Sequence, residues 1–393
     1  MMNRGATDPL RIGFVLHLMQ VAGAEVLVAE TIRRLRPRID PVVLCLDGIG
    51  QLGERMRDEG VPVVALGRDP GLDLGVARRL AREIEARALE VVHAHQYTPF
   101  FYTALARPFV RHRLHVMFTE HGRHYPDAVS WKRRLANRVI LGRAADEVHG
   151  VCQFSADSLA TTDGFTARPV TVIRNGIDLS RYPATSRDEA RRRLGLPPDR
   201  RFVTCVARFH PVKDHATLLR AFARVAAKVR NVELLLAGDG PLRDALTAQA
   251  SDLAISTCVR FLGVRDDVPD LLRASDIFAL TSISEAASLT LLEAMACRLP
   301  VVVTAVGGNP EIVEHDRHGL LVPRGDDRAA AAAIMKLLES PDSAAAMGDA
   351  GHHHVSQHYR LEDTIEAYYQ RYATAAAVLR APAADTPSAA RTA

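Results

Sequence analysis

From Arg11 onward, short and nearly unbroken apolar runs recur along the chain, each followed by a stretch with helical periodicity. The runs "RIGFVLHL", "PVVLCL", "VPVVAL", "LEVVHAH", "RLHVMFTEHG", "ADEVHGV" and "PVTVIRNG" form a first series. The runs "RFVTCVARF", "VELLLAGDG", "CVRFLGV", "DIFALTS", "PVVVTAVGG" and "GLLVPRG" form a second. A strand with one wet face alternates polar with apolar residues, so runs that are apolar throughout belong to strands covered on both faces. Repetition of strand, helix and strand then requires parallel sheets with helices as the crossovers. The fold class is therefore α/β.

Between the two series, "LSRYPATSRDEARRRLGLPPDRR" is rich in proline and arginine and has no strand signal, which places a linker at about 179–200. A chain of 393 residues is also too long for one ordinary core. Two α/β domains result, and loops at the carboxyl ends of such sheets are where ligands bind. From about Asp326 the pattern is helical to Arg380, broken near "SPDS", and "APAADTPSAARTA" reads as a disordered tail.

Composition narrows the class. No apolar run approaches the roughly 20 residues that a membrane helix needs, and the opening "MMNRGATDPLRIGF" lacks the apolar core of a signal peptide. The expected location is cytoplasmic. A net charge of +4, from 50 basic and 46 acidic residues, is too balanced for a nucleic-acid footprint. The five cysteines, at 45, 152, 205, 258 and 297, are scattered without C-x-x-C spacing, so buried thiols are expected rather than disulfides or a zinc site.

Several stretches carry candidate chemistry. In "HLMQVAGAEVLVAETIRRL", Gly23 leads a strand into a helix, where backbone amides can approach an anion; a plain tight turn explains it as well. In "FTEHGRHYP", His121 follows a strand end and can donate to a polyol or move a proton, or simply face solvent. His93 and His95 lack a third metal ligand and read as structural, and "HHH" at 352–354 reads as solvated surface. In "VARFHPVKDHATLLRAF", Arg208 and Lys213 place two cations at a strand-to-helix loop, which suits a diphosphate, although a surface ion pair has the same composition.

In "SISEAASLTLLEAMACRLPVVVT", Glu285 precedes a helix and Glu293 lies on it. A helix starting near Ser288, Leu289 and Thr290 would offer amides to an anion between the two carboxylates. Hexose hydroxyls, diphosphate and ribose hydroxyls in a row have this layout, while two solvated glutamates on a surface helix are the alternative.

Together these stretches resemble the retaining glycosyltransferases of family 4. The match rests on "AGAE" at 22–25, "TEHG" at 119–122, "NGID" at 175–178, "VARFHPVKDH" at 206–215, "AGDGP" at 237–241 and the E-x7-E element at 285–293 with "EAMACRLPVV". The resemblance implies the GT-B fold, in which two Rossmann-like domains face each other across a cleft and C-terminal helices cross back. It assigns 1–180 to an acceptor-side domain, 181–358 to a nucleotide-sugar domain, 359–380 to the returning helix and 381–393 to the tail.

It implies a hexosyltransferase acting on a nucleotide diphosphate sugar, UDP- or GDP-linked, and a glycan, lipid-linked or small-molecule acceptor, in cell-surface polysaccharide or glycoconjugate synthesis in a bacterium. Arg208 and Lys213 would bind the diphosphate, Glu293 the ribose, Glu285 the sugar, and His121 would sit at the reacting hexose. Gly23 would close over the phosphates, beside Ser288, Leu289 and Thr290. No metal or other cofactor is implied. One departure stands out: Ala286, Ala287 and Ser288 occupy positions where the family usually has Gly-Phe-Gly or similar. A non-catalytic nucleotide-sugar-binding relative, or an epimerase of the same fold, is the competing reading.

Finally, "SWKRRLANRVILGRAA" sets Trp131, Leu135 and Val139 on a helical stripe among Lys132, Arg133, Arg134 and Arg138. Such a helix rests on anionic lipid or packs its stripe on the sheet, and the sequence leaves both open.

Overall fold

A computed structural model of the protein describes residues 8–122, 129–182 and 185–381. The tail assigned from 381 lies, except for its first residue, outside the described residues. The strands of the first series are β1 (Leu10–Leu16), β2 (Ile39–Cys45), β3 (Val63–Ala65), β4 (Val91–His95), β5 (His115–Glu120), β6 (Glu147–Gly150) and β7 (Val170–Val172). Those of the second are β8 (Arg201–Val206), β9 (Val232–Ala237), β10 (Val259–Gly263), β11 (Ile277–Leu280), β12 (Val301–Thr304) and β13 (Gly319–Val322). Each coincides with an apolar run identified from sequence, although β1 begins one residue and β2 two residues before its run.

They build two sheets. The 7-stranded sheet has the order β3-β2-β1-β4-β5-β6-β7, and the 6-stranded sheet the order β10-β9-β8-β11-β12-β13. The ladders are parallel: Phe14 pairs with Val43 and His93, Thr204 with Leu235 and Phe278, and Val302 with Ala279 and Leu320. Residues such as Phe14, Val43, Leu236, Phe278 and Val303 are fully buried, as strands covered on both faces demand. This is the doubly wound, Rossmann-like arrangement expected of each half of a GT-B protein. Strand order reverses between β1 and β4 in one sheet and between β8 and β11 in the other. Those are the points where open α/β sheets bind ligands.

The chain divides into two compact units, one formed by Met1–Thr119, Arg138–Val148 and Ile365–Ala393, the other by Glu120–Asn137 and His149–Thr364. Within the first, the end of the long helix Leu361–Arg380 returns to the N-terminal strands. Arg380 pairs with Glu90 (Nε to Oε1, 2.5 Å), and the buried hydroxyl of Tyr372 lies 2.7 Å from His93 Nδ1. His93 Nε2 is 2.8 Å from Thr119 Oγ1, so this histidine is structural, with both ring nitrogens engaged.

Two expectations change. The stretch read as a linker contains the helix Arg187–Leu194, which ends in a left-handed Gly195 and is fixed by Arg191: its Nη2 bonds Asp276 at 2.8 Å and its Nε bonds Ala274 O at 3.0 Å. The histidines at 352–354 are not all solvated. His354 stacks on His318 at 4.4 Å between ring centroids, burial lowers its pKa to about 4, and His352 Nδ1 lies 2.9 Å from Ala296 O. A helix periodicity that looked polar hid one face turned toward its own domain. Cys45, Cys152, Cys205 and Cys297 are buried and free, and Cys258 is half-buried and free.

Candidate active site

At the β8/β11 reversal, three loops meet through backbone bonds. Past β8 the chain runs through Ala207, Arg208 and Phe209. Phe209 N donates to Asp239 O at 2.9 Å, and Leu242 N donates to Phe209 O at 3.2 Å, which ties this loop to "AGDGP" after β9. The two glycines there have physical reasons. Gly238 has φ +137°, and a Cβ on it would fall 2.1 Å from Ala207 O; on Gly240 it would fall 2.6 Å from Phe209 O. Only glycine permits this approach. The result is an exposed Arg208 on a loop whose main chain is fixed.

Lys213 closes the short turn Pro211–Lys213, and the next residue, Asp214, adopts a left-handed φ of +44°. The Asp214 carboxylate accepts from Thr217 N at 3.2 Å and Thr217 Oγ1 at 2.6 Å, capping the helix His215–Ala226. Thr281 Oγ1 donates to Asp214 O at 2.9 Å, and Ile283 N to Val212 O at 2.8 Å. These bonds hold the Lys213 turn against the loop after β11.

The consequence is a compact polar cluster. Lys213 Nζ lies 2.5 Å from Glu285 Oε1, and the buried Ser282 Oγ donates to the same oxygen at 2.6 Å. Glu285 is itself buried, so loss of Lys213 would leave a buried carboxylate without its counter-charge, which makes the pair costly to break. Its main chain is pressed by the loop after β12: Gly308 N donates to Glu285 O at 3.2 Å, and a Cβ on Gly307 (φ +54°) would fall 1.7 Å from that oxygen.

Ser288 then caps the helix Leu289–Ala296, its Oγ accepting from Leu291 N at 3.4 Å. The amides of Leu289 and Thr290 begin that helix, as the sequence indicated. Glu293 stands one turn on. Burial raises its carboxyl pKa, an effect that the Tyr182 phenol and the Arg181 charge partly offset. The residues in place of the usual glycine-rich element have packing partners: Ala286 clusters with buried Val151 and Cys152, and Phe154 and Ala287 pack against them.

Of the other expected residues, His121 follows β5; burial lowers its imidazole to about 4, so the ring is neutral at physiological pH. Gly23 is the exposed first residue of the helix Gly23–Leu35, behind Ala22, and belongs to the first unit, whereas the cluster described here belongs to the second. Direct contact therefore joins Lys213 and Glu285. Ser282 was missed from sequence, because a serine three residues before a glutamate carries no signal until the loop is folded.

Two parallel-sheet Rossmann-like domains, with cations and carboxylates gathered at a strand-order reversal, define a GT-B transferase. Residues 186–354 match the family described as Glycosyl transferases group 1, and residues 21–181 match Glycosyltransferase Family 4. Among similar proteins, the GDP-mannose-dependent alpha-(1-6)-phosphatidylinositol monomannoside mannosyltransferase of Mycolicibacterium smegmatis is 31% identical over 294 residues, 71% of this chain and 75% of that protein. The N-acetyl-alpha-D-glucosaminyl L-malate synthase of Bacillus anthracis is 29% identical over 308 residues, 77% of this chain and 79% of its own. A D-inositol 3-phosphate glycosyltransferase of Rhodococcus opacus is 34% identical, but the match spans only 50% of that protein. In fold, the Anabaena HepE protein solved with UDP superposes with a TM-score of 0.82 at 23% identity, covering 93% of this chain and 100% of that one. The chain belongs to the family 4, group 1 glycosyltransferases.

Proposed function

We propose that this glycosyltransferase moves a hexose, with retention, from a UDP- or GDP-sugar to a glycan, lipid-linked or small-molecule acceptor in bacterial cell-surface polysaccharide or glycoconjugate synthesis. The observation that carries the reading is the Lys213, Ser282 and Glu285 cluster, set beside a helix N-terminus at the sheet reversal. Arg208 and Lys213 take the diphosphate, with the Leu289 and Thr290 amides behind Ser288; Glu293 accepts from the ribose hydroxyls, and Glu285 from the sugar. Gly23 lies on the loop over the phosphates, and neutral His121 hydrogen-bonds the reacting hexose.

In the reaction, the acceptor oxygen bonds to the anomeric carbon from the face that the diphosphate leaves. The breaking carbon–oxygen bond gives its electron pair to the phosphate oxygen, which takes the hydroxyl proton. The charge developing there is met by cations and helix amides already in place, and such preorganisation is where most of the rate enhancement comes from. This reading needs no resident metal or cofactor. One relative named for GDP-mannose and a fold neighbour solved with UDP support both nucleotide options.

The test is a panel of UDP- and GDP-sugars read by thermal shift and by slow donor hydrolysis. A donor at 100 times its Kd adds about 2.7 kcal/mol of stability. Absence of a shift with any nucleotide sugar sinks the proposal; a shift without hydrolysis or transfer indicates a binding relative.

The same reading places the enzyme in the cytoplasm, at the inner face of the membrane. Among the described residues no helix is long and apolar enough to cross a membrane. The stripe on 131–144 does not pack on the sheet: Trp131 is 71% exposed and Ile140 65%, with Leu135 and Val139 also exposed. Lys132, Arg133, Arg134, Arg138 and Arg143 accompany them in the sequence without an acidic residue from Trp131 to Ala144, and Arg133 also pairs with Asp163 at 3.3 Å. Exposed large apolar groups ringed by cations match an anionic bilayer surface. Sedimentation with anionic vesicles at low salt should pull the protein down, neutral vesicles should not, and Trp131→Ser with Ile140→Ser should abolish it; equal pelleting with both vesicles removes the idea.

A further inference from the structure

We infer that Glu311 is a positioning residue for the Glu285 loop, acting through the start of the helix Gln153–Thr161; this rests on the role proposed for Glu285. Glu311 Oε2 accepts from Gln153 N at 2.8 Å, and Oε1 accepts from Phe154 N at 2.7 Å. The next amide, Ser155 N, donates to the weakly accepting Cys152 sulfur at 3.4 Å. A carboxylate from a distant part of the chain thus takes the two leading amides of a helix whose own cap is a thiol, with the helix dipole adding to the attraction.

The contacts then close into a ring. Glu311 N donates to Gly308 O at 3.0 Å, and Gly308 N donates to Glu285 O. Glu285 continues into Ala286, which packs with Val151 and Cys152, and those residues lead into the amides that Glu311 holds. Gly308 leaves no slack, because a Cβ there would lie 1.9 Å from Ala286 O and 3.0 Å from Cys152 Sγ. Tyr359 braces the far side, its hydroxyl donating to Glu311 O at 3.2 Å. Ser282 and Lys213 fix the Glu285 carboxylate, and the ring fixes its main chain. The alanines at 286 and 287 are part of this dock, which gives the departure from the family's glycines a physical reason.

Opening the ring lets Glu285 shift while the nucleotide groups around Arg208 and Glu293 stay in place. A displacement of about 1 Å at a reacting centre is enough for roughly a hundredfold in rate. The experiment compares Glu311→Gln and Glu311→Ala with the wild type in the intact protein. It reads UDP and GDP affinity, turnover of whichever panel sugar the wild type hydrolyses, and hydrogen exchange of the 282–288 amides. Expected are UDP or GDP Kd values within about twofold, turnover down about tenfold in Glu311→Gln and further in Glu311→Ala, and faster exchange across 282–288 in both. Glu311→Gln keeps the size of the side chain and one acceptor, so it covers the case in which Glu311→Ala does not fold. Unchanged turnover, or nucleotide affinity and turnover falling together, overturns the inference. If the wild type itself accepts no nucleotide sugar, the proposed function fails separately, and unchanged exchange at 282–288 alone overturns the positioning role.

Discussion

Glu285 and Glu293, the two ends of one E-x7-E element, are treated in opposite ways by the fold. Glu285 sits in a loop outside the helix, buried, with an ammonium and a hydroxyl on one oxygen. Glu293 sits on the helix, and burial acts on it more strongly than the groups nearby, so its carboxyl pKa is raised. The first carboxylate has its counter-charge in place, whereas burial disfavours the charge of the second despite the Tyr182 phenol beside it. Under the proposed function, that difference would suit Glu285 to turnover and Glu293 to binding a hydroxyl donor.

The sharpest way to break this comparison is at the ion pair. Lys213→Ala leaves Glu285 buried with Ser282 alone and removes a cation from the proposed diphosphate site. Turnover should fall by about 10²–10³, as for loss of one preorganised group facing developing charge. Glu285→Gln should lose a similar factor while keeping nucleotide affinity within a few fold. Steady-state kinetics with the donor found by the panel checks both; nucleotide affinity collapsing in Glu285→Gln with turnover per bound donor intact would reverse the roles of the two carboxylates.

Next in size is Gly307→Ala. The added Cβ would have to displace Glu285 O from 1.7 Å, at a φ that an L side chain rarely adopts. A loss of about 3 kcal/mol is expected, read as a lower urea midpoint with an unchanged slope. Gly325→Ala is the control: its φ is also positive, at +73°, but no atom lies within 4 Å of the added carbon, so only the smaller conformational cost applies. Equal losses in the two variants would mean that contact with Glu285 is not what Gly307 provides.

How much of this was legible from sequence follows from the range of each interaction. Buried parallel strands announce themselves in a few consecutive residues, so "VELLLAGDG" or "PVVVTAVGG" could be placed without a partner strand. The helix start at Ser288 was equally local. Ser282 and Glu311 were not, since their meaning depends on Glu285 Oε1 and on the amides at 153 and 154, the latter about 158 residues away in sequence. Periodicity also says which residues share a helix face but not what covers that face. For this reason Trp131 and Leu135 could be read as core and are exposed, and His354 could be read as surface and is stacked.

The smallest effect tests the Glu293 side directly. Its folded-state pKa is raised above the roughly 4.3 of an unfolded glutamate. Below about pH 4 the carboxyl is protonated in both states and contributes nothing to stability. As pH rises from there, the unfolded chain gives up the proton first, so the folded state binds more protons and stability falls through that window. The penalty keeps growing until the pH passes the raised folded-state pKa. Glu293→Gln keeps the shape and removes the charge, so its urea midpoint should exceed the wild type at pH 7, with the gap closing toward pH 4. The same change takes away an acceptor for ribose hydroxyls, and UDP or GDP should bind about tenfold more weakly, near 1.4 kcal/mol for a hydrogen bond to a charged group. A protein made more stable and a worse binder by one substitution is the signature of a partly buried carboxylate kept for its ligand. Lower stability at pH 7 with nucleotide affinity intact would show that Glu293 is held by its neighbours as firmly as Glu285, and the contrast between the two would be gone.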